Sequence, residues 1–206
     1  MRVIVFWDSI SEWFWDYENG WWVNRLKIDF WKKYWYEKMV FNAGVSAYTS
    51  EHIIHCFESF FNAVSRREVW KEKETIVIFA IWINDSGENP ETKIKRVEIN
   101  KFEKNIQTLI ERCQQERLIQ NVIFLWATNV EEEVINDINN PCSTHCFYNN
   151  DIQEYNKIIQ KLAKKNTCSY VDVFGLMQHS DLEDGIHPSS QWHQKIYKKV
   201  IEYLEK

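Results

Sequence analysis

Five short, continuously apolar runs punctuate this chain: Arg2-Phe6, Met39-Asn42, Thr75-Ile81, Asn121-Leu125 and Ser169-Val173. Strands that face water on one side alternate polar and apolar residues. Strands buried on both faces read as unbroken Val/Ile/Phe runs, as these do. Amphipathic stretches separate them. Ile53, Ile54, Phe57, Phe60, Phe61 and Val64 form one helical stripe, and Ile99, Phe102, Ile106, Leu109, Ile110 and Cys113 another. Ile152, Tyr155, Ile159 and Leu162 make a third, and Ile196, Tyr197, Val200, Ile201 and Leu204 the last. Strand and helix patterns therefore alternate along the whole length. That order predicts an α/β protein: a three-layer α/β/α sandwich, flavodoxin-like, with a parallel sheet of about five strands and right-handed crossovers. With 206 residues and no linker or repeat, one domain over 1–206 is expected.

Charge narrows the partners. The net charge of -5 offers no basic stripe to displace counterions, which disfavours nucleic acid. No apolar run reaches membrane-spanning length, and the run Val3-Phe6 is too short for a signal-peptide core. Five Cys without framework spacing point to reduced thiols, and a cytoplasmic location is the default expectation. Oligomeric state is not readable from the sequence.

Ligands of such folds bind at the carboxyl ends of the strands. Three groups of polar residues are expected to meet there. Asp8-Ser9 follows the first strand, Asn84-Asp85 the third, and Asp184 to His187 precede the last helix. In DGIHP, a carboxylate three residues before a histidine can fix the imidazole tautomer and leave the other nitrogen as a base. Ser9 supplies a hydroxyl for such a base to activate. Asn84 can donate to an oxyanion, or simply turn the chain. In FNAGVSAYTS, loop amides before a Thr/Ser helix cap can face an anion, or merely connect strand to helix. Each segment alone is open to the plainer reading.

Their order is more specific: Asp-Ser, Gly-x-Ser-x-x-Thr, Asn-Asp, Asp-x-x-His. In that order and spacing the chain resembles the SGNH, or GDSL-type, esterase and lipase family over nearly its whole length. The segments NGWWVNRL and DGIHPSSQWHQKI look especially like bacterial members. The resemblance implies ester hydrolysis without a cofactor or metal, on a small-molecule ester and through an acyl-enzyme. Ser9 would be the nucleophile, His187 the general base and acid, and Asp184 its orienting carboxylate. The oxyanion hole would use the N–H of Ser9, the N–H of Ala47, where the family carries Gly, and the amide of Asn84. Two alternatives keep the fold: acyl transfer on the same triad, or a catalytically impaired binding protein.

Tryptophan complicates this picture. The chain holds 11 Trp but 5 Gly, where about 14 Gly would be ordinary for its length. Trp7, Trp82 and Trp126 stand where the family pattern has Gly, and Trp13, Trp21 and Trp192 look alike, whereas Trp22 sits where Trp is tolerated. If genuine, each overpacks its surroundings by ~1–3 kcal/mol and can block or remodel the site. The reading we prefer is that a UGA codon, written here as Trp, is read as Gly in the source organism.

Among other candidates, Cys142, His145 and Cys146 offer soft ligands without a fourth partner, and a plain loop over Asn136-Asn150 is preferred. His52 and His55 are expected on a solvated helix face. His193 is expected to be a surface or packing residue, and Glu131 to Glu133 a solvated acidic first turn.

Overall fold

The computed structural model describes residues 1–11, 20–65, 74–80, 82–140, 144–176, 181–182 and 184–205. Trp13, Ile81 and Cys142 lie outside the described residues. The strands are β1 (Arg2–Phe6), β2 (Met39–Asn42), β3 (Thr75–Phe79), β4 (Ile119–Leu125) and β5 (Ser169–Val171). They form one five-stranded sheet in the order β2-β1-β3-β4-β5, every pairing parallel. This is the doubly wound α/β architecture expected from the alternating pattern.

The helices are α1 (Trp22–Tyr34), α2 (Ser50–Ser65), the single turns α3 (Ile83–Ser86) and α5 (Glu132–Ile135), α4 (Ile99–Gln115), α6 (Asn149–Lys165) and α7 (Ser190–Leu204). The chain steps one way from β1 to β2 and the other way thereafter. Right-handed crossovers therefore put α1 on one face of the sheet and α2, α4 and α6 on the other. The contacts follow: α1 packs with α7, and α4 with both α2 and α6. Three strand limits differ from the sequence pattern. β3 ends at Phe79, with Ala80 already outside the strand. β4 begins two residues earlier, because Ile119 still pairs with Thr75 across a register shift. β5 stops at Val171, although Val173 beyond it is fully buried.

The carboxyl ends of the three central strands carry Phe6, Phe79 and Phe124 in register. Their rings stack at 5.5 and 5.7 Å between centroids, and Phe57 of α2 closes on Phe6 at 5.3 Å. This aromatic layer is the floor from which the loops after β1 and β3 depart. Arg25 of α1 ties the far end of the chain to the same region. Its guanidinium donates to Ser190 Oγ (2.9 Å) and Gln194 Oε1 (2.6 Å) of α7 and, through Nε, to Gly20 O (3.1 Å). The described part of NGWWVNRL, from Gly20 on, and the segment DGIHPSSQWHQKI thus meet in space. Among the described residues, no helix is long and apolar enough to cross a membrane.

Candidate active site

β1 ends at Phe6, and the chain turns within two residues into a 3₁₀ turn over Ser9–Ser11. Asp8 holds that turn: its Oδ1 accepts the N–H of Ile10 at 3.0 Å, as a short acidic side chain does at a chain reversal. Burial pushes the Asp8 carboxyl up to about 7, against the bond from Ile10 and the nearby His187. It is a buried support of the turn.

Asp184 and His187 sit in a loop closed on itself. Leu182 bridges Pro188, and Ser189 N–H donates to Asp181 O at 2.9 Å. Gly185 is required here. Its φ is +87°, and a Cβ would fall 2.6 Å from the backbone nitrogen of Ile135. That close approach lets Glu131 N–H donate to Gly185 O at 2.8 Å, which anchors the loop on the segment before α5. Within the loop, Asp184 Oδ1 accepts the N–H groups of Ile186 (3.1 Å) and His187 (2.8 Å). Its Oδ2 lies 2.6 Å from His187 Nδ1. Burial acts to raise the Asp184 carboxyl, but the hydrogen bonds and charge of His187 outweigh it and hold the group well below the usual carboxylate range. An ionised Asp184 can only accept, so Nδ1 carries a proton, and in the neutral ring that leaves the lone pair on Nε2. Nε2 is 2.8 Å from Ser9 Oγ, across 178 residues of sequence.

The opposite rim comes from the loops after β2 and β3. Asn84 and Asp85 lie in α3, one turn beyond β3, and both are buried. Burial pushes the Asp85 carboxyl up to about 8, although it accepts Ser50 N–H (3.1 and 3.0 Å) and Ser50 Oγ at the start of α2. Asn105 Nδ2 completes this network on Ser50 Oγ at 2.9 Å. The Ser50–Asp85 contacts lock the loop after β2 to the loop after β3. Val45 N–H donates to Trp7 O at 3.1 Å, which sets the same loop beside the Ser9 turn. Ala47, further along it, has φ +60°, the left-handed region that favours Gly. Asn84 Nδ2 is buried and has no acceptor among the described residues. Ser9, Asn84 and His187 therefore share one edge of the sheet. They keep 9%, 6% and 7% of their surfaces exposed.

The model of the GDSL-like lipase/acylhydrolase family matches residues 6–195. The chain belongs to this family. It is an ester hydrolase of the SGNH type. Among solved structures it is similar to the acetyl xylan esterase AlAXEase, with a TM-score of 0.74 at 20% identity over 98% of this chain and 99% of that one. It is also similar to Axe2, an acetylxylan esterase from Geobacillus stearothermophilus, with a TM-score of 0.70 at 17% identity over 98% and 92%. The lipase/acylhydrolase from Enterococcus faecalis gives 0.70 at 17% over 98% and 94%. No curated protein sequence matches the chain.

Trp7, Trp22, Trp82 and Trp192 of this GDSL-like hydrolase sit in its core. Trp7 packs against Trp22 of α1, with ring centroids 4.8 Å apart. Trp82 packs against Phe102 and Phe124 and donates to Leu125 O at 2.5 Å. Neither keeps Ser9 from His187. Other residues settle plainly. His52 and His55 are exposed, and His52 Nδ1 accepts Thr49 N–H (3.2 Å) at the start of α2. His193 is fully buried, a packing residue. Cys146 pairs its backbone with Glu88, and α6 already begins at Asn149, inside the stretch expected as loop. Glu132 is partly buried and accepts Asn149 N–H at 2.7 Å, so the acidic turn is less solvated than expected.

One contributor to the rim was not singled out from the sequence. Arg96 donates from Nη1 to Asn84 Oδ1 (3.2 Å) and from Nη2 to Ala47 O (2.7 Å). No motif marks it, because its place depends on how the chain between Gly87 and Arg96 folds back.

Proposed function

We propose that the chain hydrolyses carboxylic esters through a Ser9–His187–Asp184 triad. The observation that carries this reading is the pair of contacts at the imidazole: Nε2 to Ser9 Oγ at 2.8 Å and Nδ1 to Asp184 Oδ2 at 2.6 Å. Ser9 Oγ attacks the ester carbonyl while its proton passes to His187 Nε2, and the carbonyl π pair moves onto oxygen. The tetrahedral intermediate collapses, the C–O bond to the alcohol breaks, and His187 returns the proton to the leaving alkoxide. Water, activated by the same nitrogen, then cleaves the acyl-Ser9. Asp184 keeps the imidazole in the right tautomer and stabilises it when charged. The N–H of Ser9, the N–H of Ala47 and Nδ2 of Asn84 receive the oxyanion. For the substrate, an acetylated carbohydrate is the first to test, since two of the structural neighbours are acetylxylan esterases. A lysophospholipid or simple ester comes next.

A fluorophosphonate probe tests the nucleophile. Labelling maps to Ser9, disappears in Ser9→Ala and drops strongly in His187→Ala. A folded protein that stays unlabelled, also as Trp7→Gly/Trp82→Gly, overturns the reading in favour of a binding protein. Product analysis with a competing alcohol separates hydrolysis from acyl transfer.

A further inference from the structure

Arg96 reaches the rim at the end of a short excursion of the chain. The backbone leaves α3 at Gly87 and comes back on itself. Asn89 N–H donates to Ile94 O (2.9 Å), Arg96 N–H donates to Gly87 O (2.7 Å), and Glu88 bridges Lys95 in antiparallel fashion. Neighbouring side chains on such a ribbon point to opposite faces. Lys95 accordingly pairs with Glu88 (3.1 Å) and Asp151, and Arg96 faces the rim. Gly87 leaves room for it: a Cβ there would stand 3.2 Å from Arg96 Cδ and 3.0 Å from the Phe147 ring. Its φ of -57° suits any residue, so space is what calls for Gly.

We propose that Arg96 is the positioning residue of the oxyanion rim, fixing Asn84 and Ala47 in one rigid frame. The proposal rests on the triad reading above. A guanidinium has donors and no acceptor, so the Asn84 atom facing it must be Oδ1. That settles the amide orientation by chemistry and turns Nδ2 away from Arg96, buried and without an acceptor among the described residues. The second arm grips the carbonyl of Ala47, a residue held in a left-handed conformation that alanine does not favour. A planar fork can span both carbonyl oxygens, whereas a lysine ammonium is a single point charge on a flexible stem. Arg96 touches no reacting atom. It acts through the donors it orients, which is the preorganisation an oxyanion site needs.

A double-mutant cycle on the full chain tests this, with kcat and KM for p-nitrophenyl acetate and the melting midpoint as readouts. Arg96→Ala lowers kcat by about 10–100-fold with KM within ~3-fold, since a donor used in the transition state is misplaced. In an Asn84→Ala background the same change costs no more than ~3-fold, because its main route of action is gone. Arg96→Lys keeps the charge beside the buried Asp8 and Asp85 carboxyls but loses the fork, and costs about 10-fold. If Arg96→Ala does not fold, Arg96→Lys carries the same cycle. Wild-type kcat in the Arg96 variants overturns the proposal, as does an equal loss in both backgrounds. So does a raised KM at unchanged kcat, which would mean a direct substrate contact. Ser9→Ala is measured alongside: turnover by that variant brings down the triad itself, whereas an inactive Ser9→Ala beside fully active Arg96 variants brings down the Arg96 role alone.

Discussion

The two sides of the site are finished to different degrees. On the Asp184–His187 side, both carboxylate oxygens are engaged, by two backbone N–H groups and the imidazole, and Gly185 is seated against the segment before α5. On the Asn84–Ala47 side, a buried amide donor has no acceptor among the described residues, and an alanine occupies a left-handed backbone position. A base must be aimed before substrate arrives, so its partners are complete at rest. On the function proposed here, this side is an oxyanion site: it must wait for charge that appears during the reaction, so its donors stay open and carry the cost of being unpaired.

The contrast breaks most visibly at Asp184. Asp184→Asn is expected to lower kcat by about 10⁴-fold, because an amide can present its N–H to Nδ1 and favour the wrong tautomer. It is also expected to lower the melting midpoint, since the bonds that keep the carboxylate ionised stabilise the fold at neutral pH. Asn84→Ala is expected to cost about 10²–10³-fold in kcat, with less change in melting because it deletes an unpaired donor together with one long acceptor bond from Arg96. A large melting loss in Asn84→Ala, or none in Asp184→Asn, would erase the distinction between the two sides.

Much of this was legible beforehand for definite reasons. β1 shows its limits because it is buried along its whole length, and β2, only partly buried at the edge of the sheet, keeps the same limits as its apolar run. Ser9, Asp184 and His187 stand out through the order of their segments, which resembles the SGNH pattern, since each segment alone is open to a plainer reading. Arg96 was illegible because its partners lie 12 and 49 residues away and meet it through the closure of a ribbon. The start of β4 was illegible because a register shift leaves no mark on hydrophobicity.

The tryptophans show where pattern reading and packing sharpen each other. Trp7, Trp21, Trp126 and Trp192, flagged from the sequence, each keep a buried indole N–H with no acceptor among the described residues, but so does Trp22, which was not flagged. Trp35, not flagged, closes α1 at φ +49°, ψ -128° with 67% of its surface exposed. A positive φ with a strongly negative ψ is strained for any residue with a side chain, and Gly is the residue that fits it. Trp35→Gly is therefore expected to stabilise the protein by about 1–3 kcal/mol in a denaturant titration. Peptide mass spectrometry of the protein from its native host reads the residue directly. Gly at 7, 35 and 82 fits the recoding expectation, and Trp at 7 and 82 ends it.

The smallest effect belongs to Ala47. Like Trp35 it has positive φ, and at +60° alanine is strained by roughly 1–2 kcal/mol. Glycine removes that strain while giving back part of it as extra freedom in the unfolded chain. Ala47→Gly is thus expected to gain about 0.5–1 kcal/mol, read as a melting rise of a few degrees at most. Because the N–H stays in place, kcat is expected to hold within ~2-fold. A fall in kcat without a fall in stability would show that the methyl group, and not the Arg96 contact alone, keeps this stretch of the rim in position.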